Sequence, residues 1–472
     1  MGDGRLGQVL HRIAADARPA RLGPDLWERG RRRRRRTVAT AVVAVLVVLG
    51  AAPVVLPRVH ADGYAPAGGD RPVVPARVYP PLTGQAGVVE HPTGPAALVV
   101  SGDRELRGSD IWGWEGRSLL VARDGRYRLA RTVGEVSAGV GDLLLSPDGR
   151  RLAAMPWLEG VAYQHDVAGP GGPQGVTAVV ELGTGENRTY PGGYPLAWSP
   201  DGDSLLLRPA TEDSRLGGLN LLDLATGRVR ALPRIDEEFR LGNLAAFSPD
   251  GARLAVATVD ALYVVETAGM TVRRIATLTP AERLAGPGAW SPDGTRLAMW
   301  TMGDCEDGTT CDERRLARRA IRPGWRDATT GAVVDGPRLP AARGLAARLL
   351  GWQGDGDAVV VEYQPEAGLT REPDNPRWSE TDWWAVGSVT LTELRRDGSR
   401  HRLVDLPGSA LFVDVPAGLL DSFGGPSPSR VEGAVRWLLA LWWPLGQFVL
   451  LLVAAVVAGS GLRRWRRRTR RR

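Results

Sequence analysis

The 472-residue chain contains no lysine; all 60 of its basic residues are arginine. That absence removes the phosphate-loop lysine, the Ser-x-x-Lys acylase, the pyridoxal Schiff base and the protein-kinase strand lysine, each of which needs an amine. Histidine is scarce, at positions 11, 60, 91, 165 and 401 only, so a Ser-His-Asp set has few bases to draw on. His165 sits in the glycine-rich stretch YQHDVAGPGGPQG (163–175) and reads as a solvated loop residue. No G-x-S-x-G elbow occurs. Gly202-Asp203-Ser204-Leu205 matches the letters of a lipase-type motif, but it stands where equivalent segments read GRRL, GARL and GTRL. These absences point away from an enzyme and away from a bound cofactor.

What is present comes in blocks. Residues 1–36 hold 11 Arg against 4 acids, and residues 462–472 hold 8 Arg and no acid, so the remainder carries 41 Arg against 49 acids. The net charge of +7 therefore belongs to two short tails, and a nucleic-acid-binding role for the bulk is not implied.

Each tail abuts an apolar run. Thr37 to Leu56 is 20 residues without a charge, long enough at about 1.5 Å per residue to cross a hydrocarbon core of about 30 Å. A second run covers 437–458, broken only by Pro444 and Gln447, with Trp437, Trp442 and Trp443 toward one end and Trp465 past the other, in the manner of interfacial aromatic belts. Arginines precede the first run and follow the second, so the positive-inside rule puts both termini in the cytoplasm and everything between the runs outside. A cleaved signal peptide is the rival for the first run; its 36-residue leader and 20-residue apolar stretch are both long for one.

The two cysteines, Cys305 and Cys311 in GDCEDGTTCDE, suit an oxidising compartment and a small disulfide loop. Two thiolates at this spacing with no histidine nearby do not match a zinc set. The surrounding Asp304, Glu306, Asp307, Asp312 and Glu313 are oxygen ligands of the kind calcium takes, although such loops are usually only solvated.

Between the runs the chain repeats itself. LLLSPDGRRLAAM (143–155), LAWSPDGDSLLLR (196–208), AAFSPDGARLAVA (245–257) and GAWSPDGTRLAMW (288–300) share one pattern, and LLGWQGDGDAVVVE (349–362) is a decayed fifth copy. The turn residues are Pro147-Asp148-Gly149, Pro200-Asp201-Gly202, Pro249-Asp250-Gly251, Pro292-Asp293-Gly294 and Asp355-Gly356. Proline presets the second turn position, aspartate bonds back to nearby amides, and glycine accepts the conformation that re-enters a strand. A second hairpin follows several copies, as in LNLLDLATGRVRAL (219–232), VVELGTGENRTY (179–190) and LYVVETAGMTVRRI (262–275). Two hairpins make one four-stranded blade, which cannot bury both faces alone and must stack around an axis.

The pairing of S-P-D-G with a later D-x-x-T-G resembles the TolB-like, WD-type β-propeller repeat over roughly residues 97–415. The resemblance implies an all-β fold of six blades, with seven as the alternative, here flanked by two transmembrane helices. An extra blade is expected before the copies, from 109–131, and a last one finishing at 389–406, with ALFVDVP (410–416) closing the ring. Neither the additional N-terminal domain of TolB nor its soluble character has a counterpart here, so the resemblance carries the propeller and not a function. The expected division is a cytoplasmic tail (1–36), a span (37–56), a Pro/Gly-rich linker (57–96), the propeller (97–416), a linker (417–436), a span (437–458) and a second tail (459–472).

Trp198, Trp290 and Trp352 precede the turns at equivalent positions and are expected to pack between blades. Trp378, Trp383 and Trp384 fall instead in the irregular insertion 363–386, the kind of aromatic, polar loop in which recognition would reside. At the N-terminus, Leu6, Val9, Leu10, Ile13 and Ala17 follow helical spacing. This head resembles those of actinobacterial membrane proteins found near extracytoplasmic-function sigma factors, without the zinc anti-sigma motif. The expected partners are membrane lipid and an external protein, peptide or glycan ligand, with a cytoplasmic regulatory partner and an envelope hydrolase or lyase as the competing readings.

Overall fold

The computed structural model describes residues 74–81, 86–102, 117–130, 143–155, 176–209, 218–240, 242–303, 305, 310–371, 385–408 and 410–425. The chain divides into two compact units, Met1–Gly63 and Tyr64–Arg472, and all described residues belong to the second. Both apolar runs lie outside them; among the described residues no helix is long and apolar enough to cross a membrane.

Among the described residues, six four-stranded antiparallel sheets follow one another along the chain. Each is a meander whose first strand is innermost: Leu143–Leu145 opens blade 2, Gly193–Trp198 blade 3, Ala245–Phe247 blade 4, Glu282–Leu284 blade 5 and Ala346–Trp352 blade 6. Blade 1 is built differently. Its inner strand is Ala410–Asp414, from the far end of the chain, laid antiparallel on Ala96–Gly102 with Val100 opposite Val413. The ring is a six-bladed propeller, closed by the segment expected to close it.

The last blade finishes where it was expected to, within 389–406. Val386–Leu394 and Arg400–Val404 are the outer strands of blade 6, opened by the fifth repeat copy. The 20-residue stretch 366–385 separates its second and third strands.

Apolar side chains alternate between the two faces of each blade, and both faces are buried. In blade 3, Leu205 and Leu207 join Leu144 and Ala153 of blade 2, while Leu206 packs with Leu254 and Val256 of blade 4. Ala255 and Ala257 face blade 5, and Val359 and Val361 of blade 6 meet Leu98 and Val100 of blade 1. The core is thus a set of inter-blade layers, which is why strands such as SLLLRP and AVVVEYQP hold unbroken apolar runs, LLL and AVVV. At about 1.5–3 kcal/mol per large buried side chain, these layers are the main source of stability.

The flanking linkers are not free spacers where they are described. Val74–Pro75 pairs in parallel with Phe423–Gly425, and Arg77 bridges Asp405 at 2.7 Å. Val74 and Val78 are buried in the blade 6–blade 1 layer and Val88 in the blade 1–blade 2 layer. After the closing strand, Leu419 and Leu420 are buried as well. Proline-rich composition suggested an extended chain; the scattered valines decide that it lies against the ring.

Candidate functional site

The four S-P-D-G turns adopt one geometry. In each, the serine hydroxyl donates to the aspartate Oδ1, at 2.6 Å for Ser146–Asp148 and 2.5 Å for Ser199–Asp201, Ser248–Asp250 and Ser291–Asp293. The same oxygen accepts the amide two residues on, as from Arg150 and Thr295 at 3.0 Å. Gly149, Gly202, Gly251 and Gly294 have φ between 65° and 76°. A side chain at Gly149 would also strike the Ala96 carbonyl oxygen, 2.5 Å from the ideal Cβ position. The serine hydroxyls are the largest cause holding the carboxyls of Asp201, Asp250 and Asp293 below the usual range, Asp293 at about 2. For Asp148, partial burial pushes the other way but is outweighed by the Ser146 hydroxyl and the Arg150 amide. At the fifth copy Gln353 replaces serine; Asp355 still accepts the Asp357 amide at 3.1 Å, and Gly356 has φ 87°.

Arginines tie successive turns together. Arg123 donates to the Asp148 carbonyl at 2.7 Å, Arg151 to that of Gly202 at 2.9 Å, and Arg253 to that of Gly294 at 2.8 Å. Ser204 occupies the corresponding place in the lipase-like letters, and its amide donates to the Ser199 hydroxyl at 2.8 Å.

The turns surround the mouth of a central funnel of about 610 Å³. Prolines 147, 200, 249 and 292 line it, together with Trp198, Phe247, Trp290 and Trp352. The indoles also bridge blades: Trp198 Nε1 donates to the Leu144 carbonyl at 3.2 Å, Trp290 to Ala246 at 2.9 Å, and Trp352 to Gly288 and Trp290 at 2.9 and 2.8 Å. Each indole therefore satisfies a backbone carbonyl of the preceding blade while its ring forms wall. Val415, Ala417, Gly418 and Leu420 complete the wall on one side.

Three charged residues line the funnel: Asp148, held in its own turn, and Arg348 and Asp414, which pair with each other. Arg348 of blade 6 pairs with Asp414 of blade 1 at 3.1 Å, their side chains 9% and 8% exposed. Asp414 also accepts the amide of Leu145 in blade 2 at 2.9 Å, and Arg348 lies 5.2 Å from the Phe412 ring centre. Burial pushes the Asp414 carboxyl up against the opposing pull of Arg348 and that amide. At the other end of the inner strands, Asn243 (φ 51°) donates to the carbonyls of Ala285 and Ala347 at 3.2 and 2.8 Å, joining blades 5 and 6. These residues were missed in the sequence. The available signal was a single charge inside an apolar strand, as in AARLLGW and ALFVD.

At the opposite face the second strand of each blade ends and the third begins, after a connection that is in most blades long in sequence. Only that of blade 4, residues 258–260, is short. Cys305 and Cys311 lie in the blade 5 connection and are disulfide-bonded, with Cα atoms 5.7 Å apart. Among the described residues no cluster of metal ligands occurs, and Asp304, Glu306 and Asp307 lie outside them. Trp378, Trp383, Trp384 and His165 also lie outside the described residues, in the connections of blades 6 and 2.

No protein-family model matches the chain, and no curated protein matches it. Among solved structures, TolB from Acinetobacter baumannii is similar at 14% identity over 62% of this chain and 64% of that one, with a TM-score of 0.33. This chain thus spans less than two thirds of that protein. An Agrobacterium tumefaciens TolB structure is similar at 17% identity, 51% and 88% coverage and a TM-score of 0.33. The β-propeller domain of the trilobed protease from Pyrococcus furiosus follows at 10% identity, 58% and 85% coverage and a TM-score of 0.34. At these values the likeness is one of general fold.

Proposed function

We propose that this protein is a membrane-anchored, extracytoplasmic β-propeller that binds a protein, peptide or glycan ligand without transforming it. Both termini are cytoplasmic and the ring stands outside. The observation that carries the binding reading is the funnel: aromatic and proline walls, with Arg348 and Asp414 engaged in holding the ring together. Such a concavity offers apolar contact area and fixed backbone edges, which is recognition chemistry. The membrane reading is supported by the uncharged run 37–56 and by arginine blocks on the outer side of both runs.

A photo-crosslinking amino acid at Pro249 on the funnel rim, compared with one at Asp260 on the opposite face, tests the site in whole cells. Adducts from Pro249 alone are expected; adducts from Asp260 alone would move the binding face to the other side. A second reading, a signalling regulator whose N-terminal tail contacts a cytoplasmic partner such as a sigma factor, is favoured by one feature. The two linkers meet in the strap between Val74–Pro75 and Phe423–Gly425, so a load on one is felt by the other.

A further inference from the structure

The blade 5 connection does not end on its own blade. Cys311–Asp312 forms a two-residue ladder with Thr370–Arg371, at the root of the blade 6 connection. Glu313 accepts the Gly368 amide at 2.7 Å. The helix Glu313–Arg318, capped by Asp312 through the Arg315 amide at 2.8 Å, sinks Leu316 into the layer that also holds Val359, Val361 and Tyr363 of blade 6. Arg319, fully buried, donates to the Gly344 and Leu345 carbonyls between the two blades.

Every piece of this clasp is below the size that stands alone. A six-residue helix cannot pay for its own nucleation in water, and a two-residue ladder has no independent stability. Cys305 is held at φ 62°, a left-handed conformation that a non-glycine residue keeps only when its surroundings impose it. The covalent element is the disulfide. Its sulfur-bearing residues are buried within the same layer, Cys305 6% and Cys311 0% exposed.

We infer that the Cys305–Cys311 disulfide is a maturation latch: its oxidation assembles the clasp that fixes the root of the blade 6 connection to blade 5, and so sets the geometry of the face opposite the funnel. In the step, two thiols lose two protons and two electrons to form one S–S bond. The acceptor is the disulfide of an oxidant protein or small molecule, which leaves as two thiols after two exchanges. Once the clasp has closed, burial of Cys311 bars an external thiolate from attack, so the latch persists instead of cycling. The inference is independent of what the funnel binds.

Hydrogen exchange on the full chain in detergent tests it, comparing the oxidised protein, the protein reduced with a water-soluble phosphine and alkylated after brief unfolding and refolding, and the C305S/C311S variant. Amides of 310–319 and of 366–371 are expected to lose protection together, by tenfold or more, while the inner strand Ala346–Trp352 keeps its own. The variant E313A, with the disulfide intact, is expected to loosen 366–371 alone. Loss of protection at 310–319 with 366–371 unchanged would overturn the inference, as would full protection of both segments in the refolded, alkylated protein. Should the thiol-free forms unfold altogether, E313A decides: unchanged protection at 366–371 refutes the clasp.

Discussion

Arg348 and Asp414, 66 residues apart in the chain, form a buried ion pair at 3.1 Å across the seam where blade 6 meets blade 1. With the Leu145 amide on the other carboxylate oxygen, this pair joins three blades at the one place where the ring is closed by non-consecutive strands.

Breaking one member leaves the other charge buried without its partner, a loss of about 3–5 kcal/mol. D414A and R348A are therefore each expected to lower the urea midpoint strongly. The double replacement R348M/D414L should recover part of it, because two apolar groups of similar volume leave neither charge unpaired, while the Leu145 amide still loses its acceptor. A double variant as unstable as the sum of the single ones would show that the two side chains act separately.

The turn aspartates make stability fall in acid. Their folded carboxyls lie below the unfolded value of about 3.9, so the unfolded chain takes up protons first. The stabilisation is present above pH ~4 and is lost as pH falls toward the folded value, about 2 for Asp293. The urea midpoint is expected to decline across that window. S291A, which removes the hydroxyl that most lowers Asp293, should make that decline smaller, because the folded value moves up toward the unfolded one; an unchanged profile would count against the hydroxyl as cause.

The strap alters where the ring can be trimmed. Val74 and Val78 belong to the blade 6–blade 1 layer and Val88 to the next, so a chain cut to 97–416 loses core along with linker. A chain of residues 70–428 is expected to melt cooperatively, and that of 97–416 at least 5 °C lower, since about 1 kcal/mol moves a domain of this size by only a few degrees. Equal melting temperatures would mean that the linker segments rest on the ring without holding it.

Much of this architecture was legible because it is written in local chemistry. S-P-D-G fixes a turn within four residues, and repetition of the turn announces the blade. ALFVDVP was readable as a closing strand because an apolar strand after the last blade has only the first blade left to pair with. What stayed hidden depends on distant partners. Val74 and Val78 stand among prolines and glycines, where no period marks a buried face. Arg348 and Asp414 are single letters whose meaning appears only once the ring brings their strands together.

The repeat also contains its own comparison. Trp198 and Trp290 donate their indole N–H to Leu144 and Ala246, each on the inner strand of the preceding blade; at the matching position blade 4 has Phe247, which has no donor. The carbonyl in register with Leu144 and Ala246 is that of Ala197, in the layer that Phe247 already joins. F247W is expected to place its N–H on Ala197 and to raise stability by about 0.5–1.5 kcal/mol, the usual net value of one such bond. W290F should lower it by a similar amount or more, because a buried carbonyl then loses its donor. The funnel gives the larger ring room, since Phe247 lines it. Denaturant midpoints of both variants in the full chain, with tryptophan emission as the second probe, decide the matter. A destabilised F247W with normal W290F behaviour would show that blade 4 is phenylalanine for want of space, and that the funnel is narrower there than at its other walls.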